Sequence, residues 1–415
     1  MKRFSAYHIY LFITAVSTLA FTTTFTTSAL YRFQMAELNP LQLVLLGTVL
    51  ELSVFIFEIP TGIVADLKSR RLSVIIGYGL IGSGFILEGS LQLFGTILLA
   101  QMLWGIGYTF ISGAEDAWLA DEIGEEKLTA VYLRGTQIRQ VVGFVGIFIN
   151  VALASIALNI PFVIGGILQI LLAISLIFIM PETGFRPTPQ ANRNNWQKMG
   201  HTFQTGIRSI QKRPLLITIL AISFFYGLYS EALDRLWEAH ILDNFSIPDI
   251  GILDSTVVMF GMINAAIMLL TIGTTEYMRR RSGTFNHAQT VRVLAIFSAI
   301  IAFGMMAFGL ATGFVMALAA YTAVALSRRT MQPLYSAWIN RGIEPGVRAT
   351  VLSTYGQMDA IGQVIGGPLL GGIATRFGLR TALISAGLLL TPVLALYTRA
   401  IGQAEVPTLN SQNAD

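Results

Sequence analysis

Long apolar runs dominate this chain and leave it few possible folds. Windows of about 20 apolar residues, the length that an α-helix needs to cross a bilayer, recur twelve times between short polar segments. These windows lie near 7–31, 40–65, 72–94, 96–120, 132–156, 160–181, 214–238, 251–275, 287–311, 314–339, 350–374 and 380–400. Only 12% of the residues are charged, whereas a soluble domain carries about 25%. The pattern predicts an all-α integral membrane protein with twelve transmembrane helices.

The longest polar stretch divides the twelve spans into two sets of six. It begins with PETGFRPTP and contains many basic residues, which favours a cytoplasmic linker over residues 182–213. We therefore expect a six-helix bundle over 1–181, the linker, and a second six-helix bundle over 214–415 that ends in a short cytoplasmic tail. The first apolar run continues to about Tyr31, longer than a signal-peptide core, so we interpret it as a retained span.

Basic residues are distributed unequally between the two sides of the predicted membrane. With the N-terminus inside, most of the 27 Lys and Arg residues fall in cytoplasmic loops and helix ends, including those of the linker. The outer side receives Arg32, Arg235, Arg376 and Arg380. Because cytoplasmic loops of membrane proteins are enriched in Lys and Arg, this bias predicts that both termini lie in the cytoplasm.

The two halves of the sequence repeat one another. Asp66 is followed four and five residues later by Arg70 and Arg71, and 210 residues further on Glu276 stands in the same relation to Arg280 and Arg281. Further along, Ala-Trp-Leu at 117–119 matches Ala-Trp-Ile at 337–339, and Gln137 matches Gln357. Matches in the same order within equivalent spans predict two pseudo-symmetric six-helix bundles.

The segment after the second span, residues 66–71, carries more charged residues than a short loop between two helices requires. A carboxylate at Asp66 can face the positive N-terminus of a neighbouring helix, while Arg70 and Arg71 can bridge to acids such as Asp121 and Glu122. Gly62 would leave room for another helix to approach closely. The simpler alternative is a basic cytoplasmic loop with a charged helix end.

The spacing Gly-x3-Asp-x3-Arg-Arg over 62–71, repeated in part after the eighth span, resembles the signature of the major facilitator superfamily. The segments MPET at 180–183 and GGPLLGG at 366–372 resemble two further elements of that family, and the resemblance covers about residues 6–400. Position 101 is Gln, whereas many proton-coupled exporters of the family keep Arg there.

The resemblance implies a transporter in which two bundles rock about a central site. It implies that Asp66 pairs with the N-terminus of the eleventh helix, near Ala349–Ser353, when the cytoplasmic side is closed, and that Arg70 links it to Asp121. The gating residues indicated by the repeated motif and by this resemblance are Gly62, Asp66, Arg70, Arg71, Asp121, Glu276, Arg280 and Arg281.

Several charged residues fall too deep in the spans to be placed at a helix end. A charge at mid-bilayer costs about 2.5–3.5 kcal/mol even on the mildest scale, so these residues must face water, one another or a ligand. The candidates for proton or substrate binding are Glu51, Glu58, Glu115, Asp116, Arg139, Glu231, Asp234, Arg328 and Asp359.

Several candidates have a structural alternative, whereas Glu51, Glu58 and Arg328 are the better candidates for a functional role. Arg139 and Asp359 occupy equivalent positions in the two halves and could form structural ion pairs. For Glu115 and Asp116 the alternatives to proton binding are helix capping and gating. Glu58 is the candidate proton carrier, because burial raises the pKa of a carboxylate. We expect Glu88 at a solvated outer rim.

One face of the seventh span carries charged residues at i, i+3, i+4 and i+7. These residues are Glu231, Asp234, Arg235 and Glu238. This face could be a solvated outer rim with an i,i+4 Glu–Arg pair, or an outer vestibule that attracts or releases cations.

These observations favour a secondary transporter that couples proton entry to the export of lipophilic, often cationic, drug-like compounds. The stripe of Thr14, Thr18, Phe21, Phe25 and Ser28 predicts a hydroxyl and aromatic wall for such compounds. The alternative is a facilitator or symporter of a small nutrient or metabolite. We expect a monomer in the cell membrane whose partners are its substrate, protons and lipid.

Other classes of protein lack support in the sequence. Enzyme chemistry is not expected because no cluster of nucleophiles or metal ligands appears. There are no cysteines, and the four histidines are far apart, so we expect no metal site. We expect no cofactor, no ATP binding because the phosphate-binding Gly-x4-Gly-Lys pattern is absent, and no nucleic-acid partner because no continuous basic stripe is present.

Overall fold

The computed structural model describes residues 5–186, 214–249, 251, 255–283, 285–341 and 348–404. Within these ranges the chain is almost entirely helical and contains no strand. Most of the predicted linker, 182–213, lies outside the described residues, so its role as a boundary stays a prediction. The side chains of residues 341 and 348–350 are also outside the description, and with them part of the segment that the resemblance assigns to contact with Asp66.

Each of the twelve predicted spans corresponds to a helix or to two consecutive helices. They are α1 (Ala6–Phe25), α2 (Pro40–Leu67), α3 (Arg70–Ser90), α4 (Phe94–Ile111 and Ala114–Ile123), α5 (Glu125–Ala154), α6 (Ile160–Ile179), α7 (Pro214–Asn244), α8 (Ser255–Ser282), α9 (His287–Leu310), α10 (Phe314–Arg341), α11 (Arg348–Phe377) and α12 (Leu379–Leu390 and Pro392–Ala404). Beyond α1 the chain continues through a short turn, Ser28–Leu30, into a π-helix, Tyr31–Met35.

Ten of these helices are long and apolar enough to cross a membrane. The other two, α10 and α11, are 28 and 30 residues long, sufficient for a span at 1.5 Å per residue. They are less apolar because they carry charged and polar residues, among them Arg328 and Asp359, that line a cavity described below.

Local sequence explains where several helices begin. The side chains of Asn39 and Asn286 each accept a hydrogen bond from the backbone N–H three residues ahead, and their own backbone N–H groups each donate to the side-chain oxygen of the glutamine at that position. This capping box satisfies backbone donors that the first turn of a helix leaves free. At the start of α3 the Ser69 hydroxyl accepts from the N–H of Leu72.

Two spans are broken within their length. The first segment of α4 ends at Ile111, and Gly113 takes a φ of 73° before the second segment begins at Ala114. A positive φ is easily reached only by glycine, so this residue permits the break. In α12 the break falls at Thr391, immediately before Pro392, which cannot donate a backbone hydrogen bond.

The chain forms two compact units. Unit 1 comprises Met1–Asn192 with Ile247–Ala265, and unit 2 comprises Arg193–Ser246 with Ala266–Asp415. In unit 1 the helix α3 packs backbone to backbone against α4 through Gly77 and Gly107, and against α6 through Gly82 and Gly166. A Cβ at any of these four positions would lie 2.6–2.7 Å from the opposing glycine carbonyl oxygen, so only glycine allows the contact.

Candidate functional site

A cavity of about 180 Å³ lies in unit 2 between α7, α10 and α11. Its walls carry four tyrosines, Tyr226, Tyr229, Tyr335 and Tyr355. Tyr226 and Tyr229 are three residues apart and therefore lie on the same face of α7. The ring centroids of Tyr335 and Tyr355 are 5.7 Å apart, as are those of Tyr226 and Tyr335. None of these four tyrosines was a candidate from the sequence, although the three-residue spacing of Tyr226 and Tyr229 is visible there.

The cavity also contains charges. Arg328 of α10 donates two hydrogen bonds to the carboxylate of Asp234 on α7, with Nη2 lying 2.8 Å from Oδ2 and Nη1 in contact with Oδ1. The guanidinium carbon of Arg328 lies 6.0 Å from the centre of the Tyr229 ring. A fork of two N–H groups matched to two carboxylate oxygens is a strong arrangement for an ion pair. Arg328 is therefore neutralised by Asp234.

Asp359 of α11 is the second carboxylate that the cavity brings together with Arg328. It is half-buried, and its Oδ2 accepts a hydrogen bond of 2.7 Å from the side-chain amide of Gln363, one helical turn further on. The charges of Arg328 and Asp234 both act on Asp359. Asp234, Arg328 and Asp359, three of the nine predicted candidates, thus belong to one cluster. Two carboxylates and one guanidinium give this cluster a formal net charge of one negative unit.

Close contact between α7 and α11 fixes where Asp359 lies. A Cβ at Gly227 would lie 2.0 Å from the carbonyl oxygen of Asp359 itself, and one at Gly362 would lie 2.2 Å from that of Phe224. Gly366 is the first residue of the predicted GGPLLGG element, and a Cβ added there would lie 2.1 Å from the carbonyl oxygen of Leu228. Side chains larger than hydrogen at these positions would force the two helices apart.

We expect Gly362→Ala to destabilise the protein by about 1–3 kcal/mol, because the added methyl group overpacks a backbone contact. The unfolding temperature of the purified protein in detergent measures this effect. Gly356→Ala on the same helix is the control, since a Cβ there would meet no atom within 4 Å. Equal unfolding temperatures for the two variants would contradict the contact.

The charged face of α7 is only in part a solvated rim. Glu231 and Glu238 are only 3% and 4% exposed, so the rim interpretation is wrong for these two residues, which neighbouring helices of unit 2 enclose. Asp234 is exposed and pairs with Arg328, and the i,i+4 pair expected on this face is present, with Arg235 3.5 Å from Glu231.

In unit 1 the predicted acids Glu115 and Asp116 lie immediately after the break in α4. They occupy the first turn of its second segment, where the helix dipole favours negative charge. The Tyr78 hydroxyl donates to Glu115 at 2.8 Å, and the Tyr132 hydroxyl donates to Asp116 at 3.0 Å. Arg139, although exposed, is close enough to act electrostatically on Glu115. This geometry suits the capping alternative as well as proton binding.

Helix α2 carries the other two predicted acids. Glu51 is half-buried and Glu58 is exposed in the described chain. Unit 1 does not bury Glu58, and its role as a proton carrier stays a prediction.

A buried ion pair in unit 1 overturns the expected position of Glu88. This residue is 1% exposed, and its Oε1 lies 2.7 Å from Nε of Arg32, which is 3% exposed. Gln101 donates to the second oxygen of Glu88 at 2.7 Å. The guanidinium of Arg32 also lies within 6 Å of the Phe25 and Phe162 rings. Glu88 is therefore not at a solvated rim, and Arg32, which the charge bias places on the outer side, is buried in unit 1.

The predicted gating residues after α2 form a compact cluster with the end of α6. Arg70 is paired with Asp121 and also donates to the Ala117 carbonyl at 2.8 Å. Glu182 of the MPET segment accepts from the Ser69 hydroxyl at 2.7 Å and from the Arg71 backbone N–H at 3.0 Å. This second set of contacts, which ties MPET to the motif, was not anticipated.

Three details of this cluster differ from expectation. Of the expected bridges from Arg70 and Arg71 to acids that end other helices, the one from Arg70 to Asp121 is present, whereas Arg71 donates to the Ile177 carbonyl and Glu122 accepts from Thr183. A Cβ at Gly62 would meet nothing within 4 Å, so the expected close helix approach is not seen. Asp66 is exposed, and no hydrogen bond or ion pair joins it to the residues that the structure describes.

The second copy of the motif forms local pairs instead. Glu276 accepts from Arg279 at 2.6 Å and from Arg280 at 2.7 Å, all within the last turns of α8. Arg281 lies 5.7 Å from the ring centre of Tyr277. Among the described residues no group of three or more His, Asp or Glu side chains could hold a metal ion.

The sequence matches the model of the family described as Major Facilitator Superfamily over residues 10–367. The chain belongs to the major facilitator superfamily. It is therefore a multi-pass membrane transporter, and the predicted twelve-helix, all-α fold in two six-helix bundles is that of the superfamily.

Relatives of this superfamily chain support the same assignment. The MFS-type transporter YxaM of Bacillus subtilis strain 168 is 22% identical over 361 residues, which cover 86% of this chain and 87% of that protein. Similar solved structures include a variant of the nucleoside transporter NupG, with a TM-score of 0.75 and 12% identity over 95% of this chain and 100% of that one.

Two further structures share the fold. A POT family transporter in complex with 5-aminolevulinic acid has a TM-score of 0.74 and 12% identity, with 96% of each chain covered. A bacterial homologue of the lysosomal transporter Spinster has a TM-score of 0.73 and 14% identity, again with 96% of each chain covered. At these identities the likeness supports the fold of this superfamily member and not its substrate.

Proposed function

We propose that this transporter exports lipophilic, cationic, drug-like compounds in exchange for protons, working by alternating access of its two bundles. We place it in the cell membrane as a monomer with both termini in the cytoplasm. It needs no cofactor in this proposal, because the energy comes from the proton gradient and the chemistry is limited to binding and release.

The observation that carries the proposal is the charge balance of the unit 2 cavity. Arg328 is neutralised by Asp234, which leaves Asp359 as a carboxylate among tyrosine rings. Aromatic faces attract cations through the negative potential of the ring, and a carboxylate adds a direct charge interaction. An organic anion would meet a net negative charge and no free arginine, so the cavity favours cations.

The same carboxylate provides a route to proton coupling. A protonated Asp359 is neutral and holds a cation weakly, whereas the ionised form holds it strongly. A proton and an organic cation therefore compete for one group, and each displaces the other. Such competition is sufficient for exchange if the site is exposed to the two sides of the membrane in turn.

Everted membrane vesicles containing the protein test this proposal. On formation of an inward-acid proton gradient we expect accumulation of a lipophilic cation such as ethidium, and its release when the gradient is collapsed. Vesicles without the protein are the control. Failure to move ethidium or any other cationic dye under either polarity of the gradient would contradict the proposal.

A facilitator or symporter of a small polar metabolite is the second candidate. The cavity contains the side-chain amides of Gln332 and Gln363 beside the ion pair, which gives it more fixed polar groups than a drug exporter requires. Uptake of a radiolabelled amino compound or nucleoside by right-side-out vesicles, without movement of dyes in everted ones, would favour this alternative.

We further propose that the cluster of Asp66, Arg70 and Asp121 is a cytoplasmic gate. Asp66 has no partner among the described residues, while Arg70 is already held by Asp121. An exposed carboxylate at the end of α2 is thus available to form a contact in another state of the transport cycle.

Asp66→Asn is expected to abolish most cation transport while leaving expression and membrane insertion near normal, because no contact within unit 1 depends on its charge. Initial rates of dye transport in vesicles with matched protein amounts measure this. Glu276→Gln is the comparison variant: its pairs with Arg279 and Arg280 are exposed and local, so we expect a smaller loss. Full activity of Asp66→Asn would refute the gate.

A further inference from the structure

An arginine in the middle of α10 carries a charge that no described residue pairs with. Arg329 lies about 22 Å from the start of this helix and about 18 Å from its end, at 1.5 Å per residue. Its side chain is exposed and forms no ion pair or hydrogen bond with any residue that the structure describes. The neighbouring Arg328, by contrast, is bound by Asp234. Because a charge at this depth of a span is costly in lipid, Arg329 must face water or an ionic partner.

The surface around Arg329 has the composition of a water-facing wall. A polar stripe runs along one face of α10, with members seven, three and four residues apart. Its members are Thr322, Arg329, Gln332 and Ser336. Within the described part of α10, no large apolar side chain beyond Met316 is exposed. The exposed positions of α9 between 296 and 310 are instead apolar, as contact with lipid requires: Ile296, Ile300, Phe303 and Leu310.

This polar stripe adjoins the unit 2 cavity. Gln332 lines the cavity, and Arg329 precedes it by three residues on the same helix face, where Cβ atoms are about 5–6 Å apart. Long side chains on a helix point toward its start, and the charge of Arg329 accordingly acts on Tyr321, two turns earlier. Tyr321 is stacked on Trp237 of α7, with ring centroids 4.0 Å apart. Arg329 therefore lies at the edge of the cavity, near α7.

The acids of α7 leave Arg329 without a counter-ion. Asp234 and Glu238 both act electrostatically on Tyr321, as Arg329 does, but neither carboxylate forms an ion pair with Arg329. Asp234 is held by Arg328 instead. The cavity thus offers a carboxylate for a cation, and its edge offers a guanidinium for an anion.

We infer that Arg329 binds a carboxylate of the cargo, so that the transporter prefers ammonium compounds that also carry a carboxylate. The ammonium group lies in the cavity at Asp359, and the carboxylate accepts hydrogen bonds from the guanidinium, whose paired N–H groups match two carboxylate oxygens. At about 180 Å³ the cavity has room for the ammonium head group, so the carboxylate lies at its edge. This inference rests on the proposed function and narrows its substrate class.

Amino acids with a terminal amino group, each compared with its own methyl ester, test the inference. The fluorescent amine dansylcadaverine has no carboxylate, and it is displaced from the purified full-length protein by ω-aminobutyrate, ω-aminohexanoate or ω-aminooctanoate. We expect at least one of these amino acids to bind about tenfold more tightly than its ester, because the ester lacks the charge-assisted hydrogen bonds to Arg329. The chain length with the largest difference measures the separation of Asp359 and Arg329.

Variants of Arg329 connect this preference to the guanidinium. Arg329→Gln should reduce the preference to less than about twofold, while it binds dansylcadaverine at least as tightly and unfolds at the same temperature. Arg329→Lys keeps the charge but not the paired N–H groups, and should retain a preference of about threefold. Arg292→Gln removes an exposed arginine of α9 that does not line the cavity, and this control should keep the full preference.

Equal affinity of every amino acid and its ester, or an unchanged preference in Arg329→Gln, would overturn the inference. Dansylcadaverine binding that strengthens when chloride replaces gluconate, with no gain of amino acids over esters, would also overturn it and would assign Arg329 to an inorganic anion. If cationic dyes still move with the proton gradient in these cases, the proposed export function stands. If the preference depends on Arg329 but no cation moves in vesicles, the inference stands and the export function fails.

Discussion

Asp359→Asn is expected to abolish proton-driven accumulation of organic cations and to weaken their binding about 10- to 100-fold. The substitution keeps the size of the side chain and its ability to accept from Gln363 at 2.7 Å, but it removes the uncompensated negative charge of the cavity. Hydrogen bonds to charged groups contribute about 1.5–3 kcal/mol, which gives the expected range in affinity.

The same variant separates coupling from binding. In the unaltered protein a proton competes with the cation, so the apparent affinity for the cation should fall as the pH is lowered. Asparagine does not titrate, and the residual binding of Asp359→Asn should not depend on pH. Fluorescence titrations of the purified protein with a fluorescent organic cation, such as the primary amine dansylcadaverine, at several pH values measure this. A pH-dependent affinity that survives in the variant would show that another group carries the proton.

Two further variants control for nonspecific effects. Asp359→Glu retains the charge and should keep pH-dependent binding, with reduced affinity because the carboxylate is displaced within a cavity of fixed size. Asp243→Asn removes an exposed acid from the same helix as Asp234 but outside the cavity, and cation transport should be unchanged.

Arg32→Met is expected to cost about 3–5 kcal/mol of stability, the largest effect on folding that we predict. It leaves Glu88, which is 1% exposed, without the guanidinium that lies 2.7 Å from its carboxylate. Removing one partner of a buried pair leaves an isolated charge in a medium of low dielectric constant, and this is what makes the loss so large. The denaturation midpoint of purified protein in detergent gives the measurement.

The double variant Arg32→Met with Glu88→Gln separates pairing from packing. A neutral amide at position 88 can still be bound by Gln101, and no buried charge remains. We therefore expect the double variant to recover much of the stability that Arg32→Met loses. A double variant that is as unstable as the sum of the two single variants would indicate that the ion pair is not the source of the effect.

The helices could be predicted from the sequence because the signals for them are local. Apolar runs gave twelve spans that the structure contains, and α2 and α9 begin at residues 40 and 287, as expected, because their capping residues directly precede them. The end of α1 was less predictable, since the π-helix at Tyr31–Met35 makes its contacts with residues far along the chain, where Tyr31 donates to the Glu88 carbonyl of α3 and packs against Phe162 of α6.

The site could be predicted only in part, because the cost of a charge in the bilayer shows that a partner exists and not which one it is. The candidates included Asp234, Arg328 and Asp359. Whether these residues contact one another depends on which face each of their three helices directs toward the cavity, and the sequence does not show this. The pair of Arg32 and Glu88 is separated by 56 residues, and nothing in the local sequence of either residue points to the other.

The glycine contacts between α7 and α11 limit how the cavity can change during transport. Helices that touch main chain to main chain are interlocked and have no layer of side chains over which to slide. Whatever rearrangement opens the protein to one side and then the other must carry α7 and α11 as one rigid pair. Asp234 and Asp359 would then travel together with a constant separation, so any change in the shape of the pocket during the cycle would come from α10, which carries Arg328.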